Sequence, residues 1–248
     1  MTLKMAARTL AAMVVTSVVA LHVQAAGVAL VPLSSATTNQ PPAPWRVVGI
    51  PGGKIPITRF AMADVDGRKV LRVAALQSYG NLVHDLPSGA TATGLRLTWR
   101  WRLEVALQGA DLYSRQGDDS PLKVCVLFDM PLDKLGLIER NLLRMARVAS
   151  AEKLPSATLC YVWDDNLNPS TMLPNAYTSR VRMIVTTSGH QHLGQWIAQS
   201  RDLAADFRQA FGAESDALPP LLAILVGGDA DNTGGHSLGY VDDVRLEP

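Results

Sequence analysis

The chain has 248 residues, 48% of them hydrophobic, with 23 basic residues against 22 acidic ones and two cysteines. So even a balance gives no global attraction for nucleic acid, and a charged partner has to be met by a local patch. Beyond residue 25 no run is apolar and long enough to cross a bilayer, which takes roughly 20 residues.

The N-terminus has the three parts of a secretory signal. Lys4 and Arg8 make a positive start, residues 10–21 carry no charge, and Val23 and Ala25 put small residues where a signal peptidase reads them. The expectation is cleavage after Ala25 and export to a bacterial periplasm. Lys4 and Arg8 are the only charges lost, which leaves 21 basic and 22 acidic residues. Residues 26–44 are rich in proline and small polar residues and are expected to form a flexible linker. A single domain is expected over 45–248.

From Trp45 on, the dominant period is two. A strand is expected at 70–75, after the Asp66-Gly67 turn. The clearest strand covers 95–107: Leu95, Leu97, Trp99, Trp101, Leu103, Val105 and Leu107 share one face, and Arg96, Thr98, Arg100, Arg102 and Glu104 share the other. Residues 122–128 and 157–163 are continuously apolar, as central strands are. Residues 180–187 alternate again, and 221–226 and 240–246 complete the set. Two helices interrupt the pattern, at 133–149 and 202–211. The first carries Leu135, Ile138, Leu142, Met145 and Ala149 at helical spacing with Asp133 as N-cap; the second carries Leu203, Phe207 and Phe211 and stops at Gly212. The fold expected is an all-β, antiparallel β-sandwich with two inserted helices.

Cys125 and Cys160 lie inside two of the strands. They fit either as two small buried apolar residues or, if those strands are neighbours, as a disulfide, which an oxidising compartment permits.

An ordered set of segments carries a family resemblance. These are Leu-Thr-Trp-Arg-Trp-Arg-Leu at 97–103, Gly-Asp-Asp-Ser-Pro at 117–121, Ala-Thr-Leu-Cys-Tyr-Val-Trp at 157–163, Asn-Ala-Tyr-Thr at 175–178, Arg-Met-Ile-Val at 182–185, residues 196–207, and Asp-Ala-Asp-Asn-Thr-Gly at 229–234. Together they resemble the bacterial domain-of-unknown-function family 3047 from about Trp45 to Leu246. The resemblance implies a secreted or periplasmic protein with a jelly-roll-like sandwich and assigns no catalytic residue.

Several clusters are candidates for chemistry. Asp229, Asp231 and Thr233 place oxygen donors at steps of two before Gly234, as a calcium loop does, with Asp242 or Asp243 as a further ligand. A self-bonded Asp/Asn/Gly turn explains the same residues more simply, so structural calcium is the only cofactor entertained. Arg100 and Arg102 share one strand face and Arg180 and Arg182 another. If those strands lie in one sheet, four guanidiniums line a groove suited to an acidic glycan; otherwise they pair with acidic neighbours such as Asp118 and Asp119. Trp163, at a strand end, is expected near the surface, where it could stack on a sugar ring, whereas Trp99 and Trp101 belong to the core. The function expected is non-catalytic binding of a glycan or other acidic envelope component. A carbohydrate-active hydrolase or lyase using Asp118 and Asp231 is one alternative, and an envelope module docking through the 135–149 helix is another.

Overall fold

A computed structural model describes residues 29–50, 52–149 and 154–248; the expected signal at 1–25 lies outside the described residues. Among the described residues, twelve strands form two sheets. The first sheet has seven strands: β1 (Arg46–Val48), β4 (Asn81–Asp85), β11 (Leu221–Gly227), β6 (Lys123–Phe128), β7 (Ala157–Asp164), β9 (Val181–Ser188) and β8 (Met172–Pro174), side by side in that order. The second has five: β10 (Ile197–Asp202), β5 (Arg96–Val105), β12 (His236–Glu247), β3 (Arg68–Leu76) and β2 (Arg59–Val65). All pairs are antiparallel except β7 with β9.

The sheets pack face to face because each presents an apolar side. Leu97, Trp99, Trp101 and Leu103 of β5 meet Val124 and Val126 of β6 and Leu159, Tyr161 and Trp163 of β7 in one buried cluster. Aromatic rings stitch the layers together: Trp99 lies 5.1 Å from Tyr161 and Trp101 5.8 Å from Trp163, centroid to centroid. Such contacts add about 0.5–1.5 kcal/mol each to the burial itself. Helix α2 (Leu203–Phe211) extends this core, setting the Phe207 ring tilted against Phe128 at 4.7 Å between centroids. Its start is fixed by Asp202, whose carboxylate accepts from Ala205 N as an N-cap.

Three expectations change. Trp163 is fully buried, not near the surface. All eight residues of β7 are buried, so its sequence carries no alternation to show which face a side chain takes. Residues 29–44 are packed against the domain, not a free linker, because Leu30, Leu33 and Ala36, spaced by three, all reach the core. His84 fastens them: its Nε2 accepts from Val31 N at 3.1 Å, and its Nδ1 lies 2.9 Å from the Asp85 carbonyl. Burial holds its pKa below the usual value, despite the Asp85 contacts that oppose this. Finally, the first helix, α1, runs Leu137–Ala149, with Asp133 in a preceding 3₁₀ turn (Leu132–Lys134) and not at its N-cap. Leu135 is buried ahead of the helix, but Ile138, Leu142 and Met145 are exposed.

Candidate functional site

The outer face of the seven-stranded sheet is a groove of about 690 Å³ that crosses six of its strands. Residues that alternate with the core positions make its floor: Val83, Leu225, Cys125, Cys160, Val162 and Met183, all buried. Cys125 and Cys160 face each other in register on β6 and β7, with Cα atoms 4.1 Å apart, and are disulfide-bonded. The bridge locks the centre of the floor and adds apolar sulfur surface to it.

One end of the groove is polar, and strand starts and two loops build it. Lys123 opens β6, Asn81 opens β4, and the loops at 117–121 and 229–232 fold over them. Gly227 permits the close approach here, since a Cβ at that position would sit 2.5 Å from Asn81 Oδ1 and 2.8 Å from Lys123 Cε. Lys123 Nζ donates to Asp229 Oδ2 at 2.5 Å and lies 5.0 Å from the Tyr79 ring centroid. Burial by itself would lower the Lys123 pKa, but Asp229, together with Tyr79 and Asp118, outweighs it and holds the ammonium above its usual value. Asp229 Oδ1 also accepts from Ser120 N at 2.7 Å.

Beside this pair stand three more carboxylates. Asp119 accepts from the backbone N–H and hydroxyl of Thr233, both at 2.7 Å, and from Asn232. Asp118 accepts from Asn175 Nδ2 at 2.5 Å. Burial raises the Asp118 pKa to about 6; the Asn175 bond opposes this and the Asp229 charge adds to it. Asp231 is raised too, by burial first and then by Asp119 and Asp229, and its Oδ1 is buried without a hydrogen-bond partner among the described residues. Tyr177, half exposed, closes the rim, its hydroxyl 2.8 Å from Asn232 Oδ1 and 3.0 Å from the Arg115 carbonyl.

The metal set expected from the sequence is not assembled. Asp229 and Asp231 do come together, with Asp119, their carboxylate oxygens within 4.8 Å of one another. Thr233, however, spends its hydroxyl on Asp119, and Asp242 sits in the other sheet, 2.9 Å from Arg68. The Lys123 ammonium and the Asn232 and Thr233 donors already satisfy Asp229 and Asp119. Asp119, Asp229 and Asp231, with the Asp231 Oδ1 unpartnered among the described residues, form an acidic cluster that could hold a metal ion, though not with the Thr233 and Asp242 ligands expected of a calcium loop.

The four-arginine groove does not form, because β5 and β9 belong to different sheets. Arg100 lies over the Trp196 ring at 5.0 Å, and Arg102 pairs with Glu104 and Asp66. Arg180 and Arg182 share Glu214, at 2.5 and 2.6 Å. Of the residues singled out for ligand binding, Asp118 lines the groove, Asp119 braces its end, and Trp163 packs on the opposite face of the sheet. Sequence reasoning missed Lys123, Asn81 and Asn232. A signal was present: the segments 117–121, 175–178 and 229–234, quoted above for the resemblance, all converge on this end.

The fold and groove define the class as a two-sheet β-sandwich with a cleft on one outer face. The chain belongs to the family described as "Protein of unknown function (DUF3047)", whose profile matches residues 43–245. No curated protein matches the chain. Among solved structures it is similar to a family 11 carbohydrate-binding module of the cellulosomal cellulase Lic26A-Cel5E of Clostridium thermocellum, with 10% identity, 89% of this chain and 94% of that chain covered, and a TM-score of 0.41. It is also similar to the xyloglucanase domain of NopAA from Sinorhizobium fredii in complex with cellobiose (10% identity, 83% and 98% covered, TM-score 0.40) and to the family GH12 endoglucanase 3 of Trichoderma harzianum (5%, 84% and 98%, 0.37).

Proposed function

We propose that the groove binds a glycan, and that the glycan is neutral. The observation that carries this is the groove itself: an open cleft with an apolar floor and a few convergent hydrogen-bonding groups, the usual make-up of a small-molecule site. Sugar rings offer apolar C–H faces for such a floor and hydroxyls for the Asp118, Asn175, Asn232 and Tyr177 groups at its end. Charge decides the subclass. Asp118, Asp119, Asp229 and Asp231 face one ammonium, Lys123, so an acidic ligand would meet like charge. This replaces the acidic component expected from an arginine groove that does not exist. Export to the periplasm through residues 1–25 is part of the same proposal, and the Cys125–Cys160 disulfide supports an oxidising compartment.

Hydrolysis is a second reading, favoured by one observation: Asp118, with its pKa raised to about 6, is a carboxyl able to donate a proton near neutral pH. A panel of neutral and acidic polysaccharides in affinity electrophoresis, with reducing-end release measured in parallel, tests both. Binding to neutral glycans that Tyr177→Ala weakens, with no release, supports the binding protein. Release that Asp118→Asn abolishes while binding persists supports the hydrolase. Retardation by acidic glycans alone, or by none, overturns the proposal.

A further inference from the structure

Helix α1 is mounted with its apolar side outward. Leu137, Ile138, Leu142, Met145 and Val148 are 71%, 80%, 63%, 69% and 90% exposed. At helical spacing they share one face, interrupted only by Asn141, because positions three and four apart stack together. The opposite side holds the helix to the domain with little material. Leu143 packs partly against the core, Glu139 pairs with Arg180 at 2.8 Å, and Arg147 bonds Asp129 and the Leu154 carbonyl. A globular helix normally buries its apolar stripe, and a contiguous exposed one marks an interaction surface.

Charge indicates the partner. Arg140 and Arg144 border the apolar sector on its Leu137 side, and neither has an ion pair among the described residues. The only acidic residue of the helix, Glu139, is held by Arg180 and Ser179. The free charge along the stripe is therefore basic. A second copy packed helix against helix would bring the same two guanidiniums to the same edge of the stripe. An apolar sector edged by unpaired arginines is the pattern of a helix lying in a membrane interface, where acyl chains receive the apolar side chains and anionic headgroups the guanidiniums. No helix among the described residues is long and apolar enough to cross a membrane, and α1 has only the length to lie along one.

We infer that α1 docks the protein on an anionic phospholipid surface, with Ile138, Leu142 and Met145 in the headgroup–acyl boundary and Arg140 and Arg144 against lipid phosphates. This is independent of what the groove binds. The test is co-sedimentation of the protein, recovered from an exporting host, with vesicles of phosphatidylcholine alone and of phosphatidylcholine containing about one-third phosphatidylglycerol. Two variants accompany the wild type, Arg140→Ala/Arg144→Ala and Ile138→Ser/Leu142→Ser/Met145→Ser. All of these side chains are at or near the surface, so both variants should keep the wild-type melting temperature; they also share every other residue, so differences report α1.

The expected result is partition onto the anionic vesicles only. The arginine variant should bind about thirtyfold less, at about fivefold per basic residue, and the serine variant should not sediment. Absence of wild-type partition, or equal partition by the variants, overturns the inference. So does a concentration-dependent dimer in analytical ultracentrifugation that the serine variant abolishes while vesicles bind nothing, because the stripe would then be a self-association face.

Discussion

The outer faces of the two sheets use charged residues in opposite ways. On the five-stranded sheet Arg102, Glu104, Asp66, Arg245 and Asp243 form short ion pairs in contact with solvent. On the seven-stranded sheet the groove draws its charges inward: Asp119 and Asp229 are 1% and 5% exposed, and the Lys123 side chain, 13% exposed, is held against Asp229. In the groove, burial raises the pKa of Asp118 and Asp231, and acidic neighbours led by Asp229 hold Lys123 above its usual value against the effect of burial. Charge density is thus a poor guide to a site. What separates the faces is solvation: charges that water reaches interact weakly, whereas charges kept out of it depend on partners such as the Lys123–Asp229 pair.

The sharpest way to break this contrast is Asp229→Ala. It leaves the Lys123 ammonium buried without its partner, and removing one member of a buried pair costs about 3–5 kcal/mol. Urea denaturation measures this. A double variant, Asp229→Ala with Lys123→Met, should recover much of the loss, because an apolar pair needs no compensation. If the double variant is as unstable as the single one, packing and not charge holds this end of the groove together.

The next effect is pH-dependent. The folded Asp118 pKa of about 6 lies above the ordinary carboxyl value of 3.8, so the fold favours the protonated form. The stabilisation from that proton is fully present below 3.8 and is lost as the pH rises through about 6. Asp118→Asn removes the titration and keeps an acceptor for Asn175. Its melting temperature should exceed the wild type at about pH 7.5 and match it at about pH 3.5. A constant difference across that range would mean the carboxyl is not desolvated in the fold.

Much of the fold is legible in local pattern, and much of the site is not. Alternation over β5 marks Leu97, Trp99, Trp101 and Leu103 as core, and Asp202 with Gly212 brackets α2, because both signals lie within a few residues. Pairing between strands distant in the chain leaves no local trace. Nothing near Arg100 or Arg180 tells that their strands join different sheets, and nothing near Cys125 tells that Cys160 stands opposite it 35 residues on. Helix α1 shows a third limit: periodicity reveals an apolar stripe at Ile138, Leu142 and Met145, but what covers it depends on the tertiary placement of the helix. Lys123 reads as an ordinary strand start until Asp229, 106 residues later, is brought to it.

The smallest expected effect completes the comparison. Arg102→Ala removes contacts to Glu104 and Asp66 that are as short, at 2.5 and 3.0 Å, as the Lys123–Asp229 bond or nearly so. Distance alone therefore predicts a comparable loss. Solvation predicts otherwise: Asp66 is 62% exposed on its side chain and keeps the Trp196 Nε1 donor, and Glu104 is 28% exposed and can take up water. Pairs that solvent reaches are worth about 0–1 kcal/mol. The urea midpoint of Arg102→Ala should lie close to the wild type and move further towards it in high salt, since screening weakens the surface pair in the parent as well. A loss near that of Asp229→Ala would place the two faces in one electrostatic class, and shape alone would then distinguish the groove.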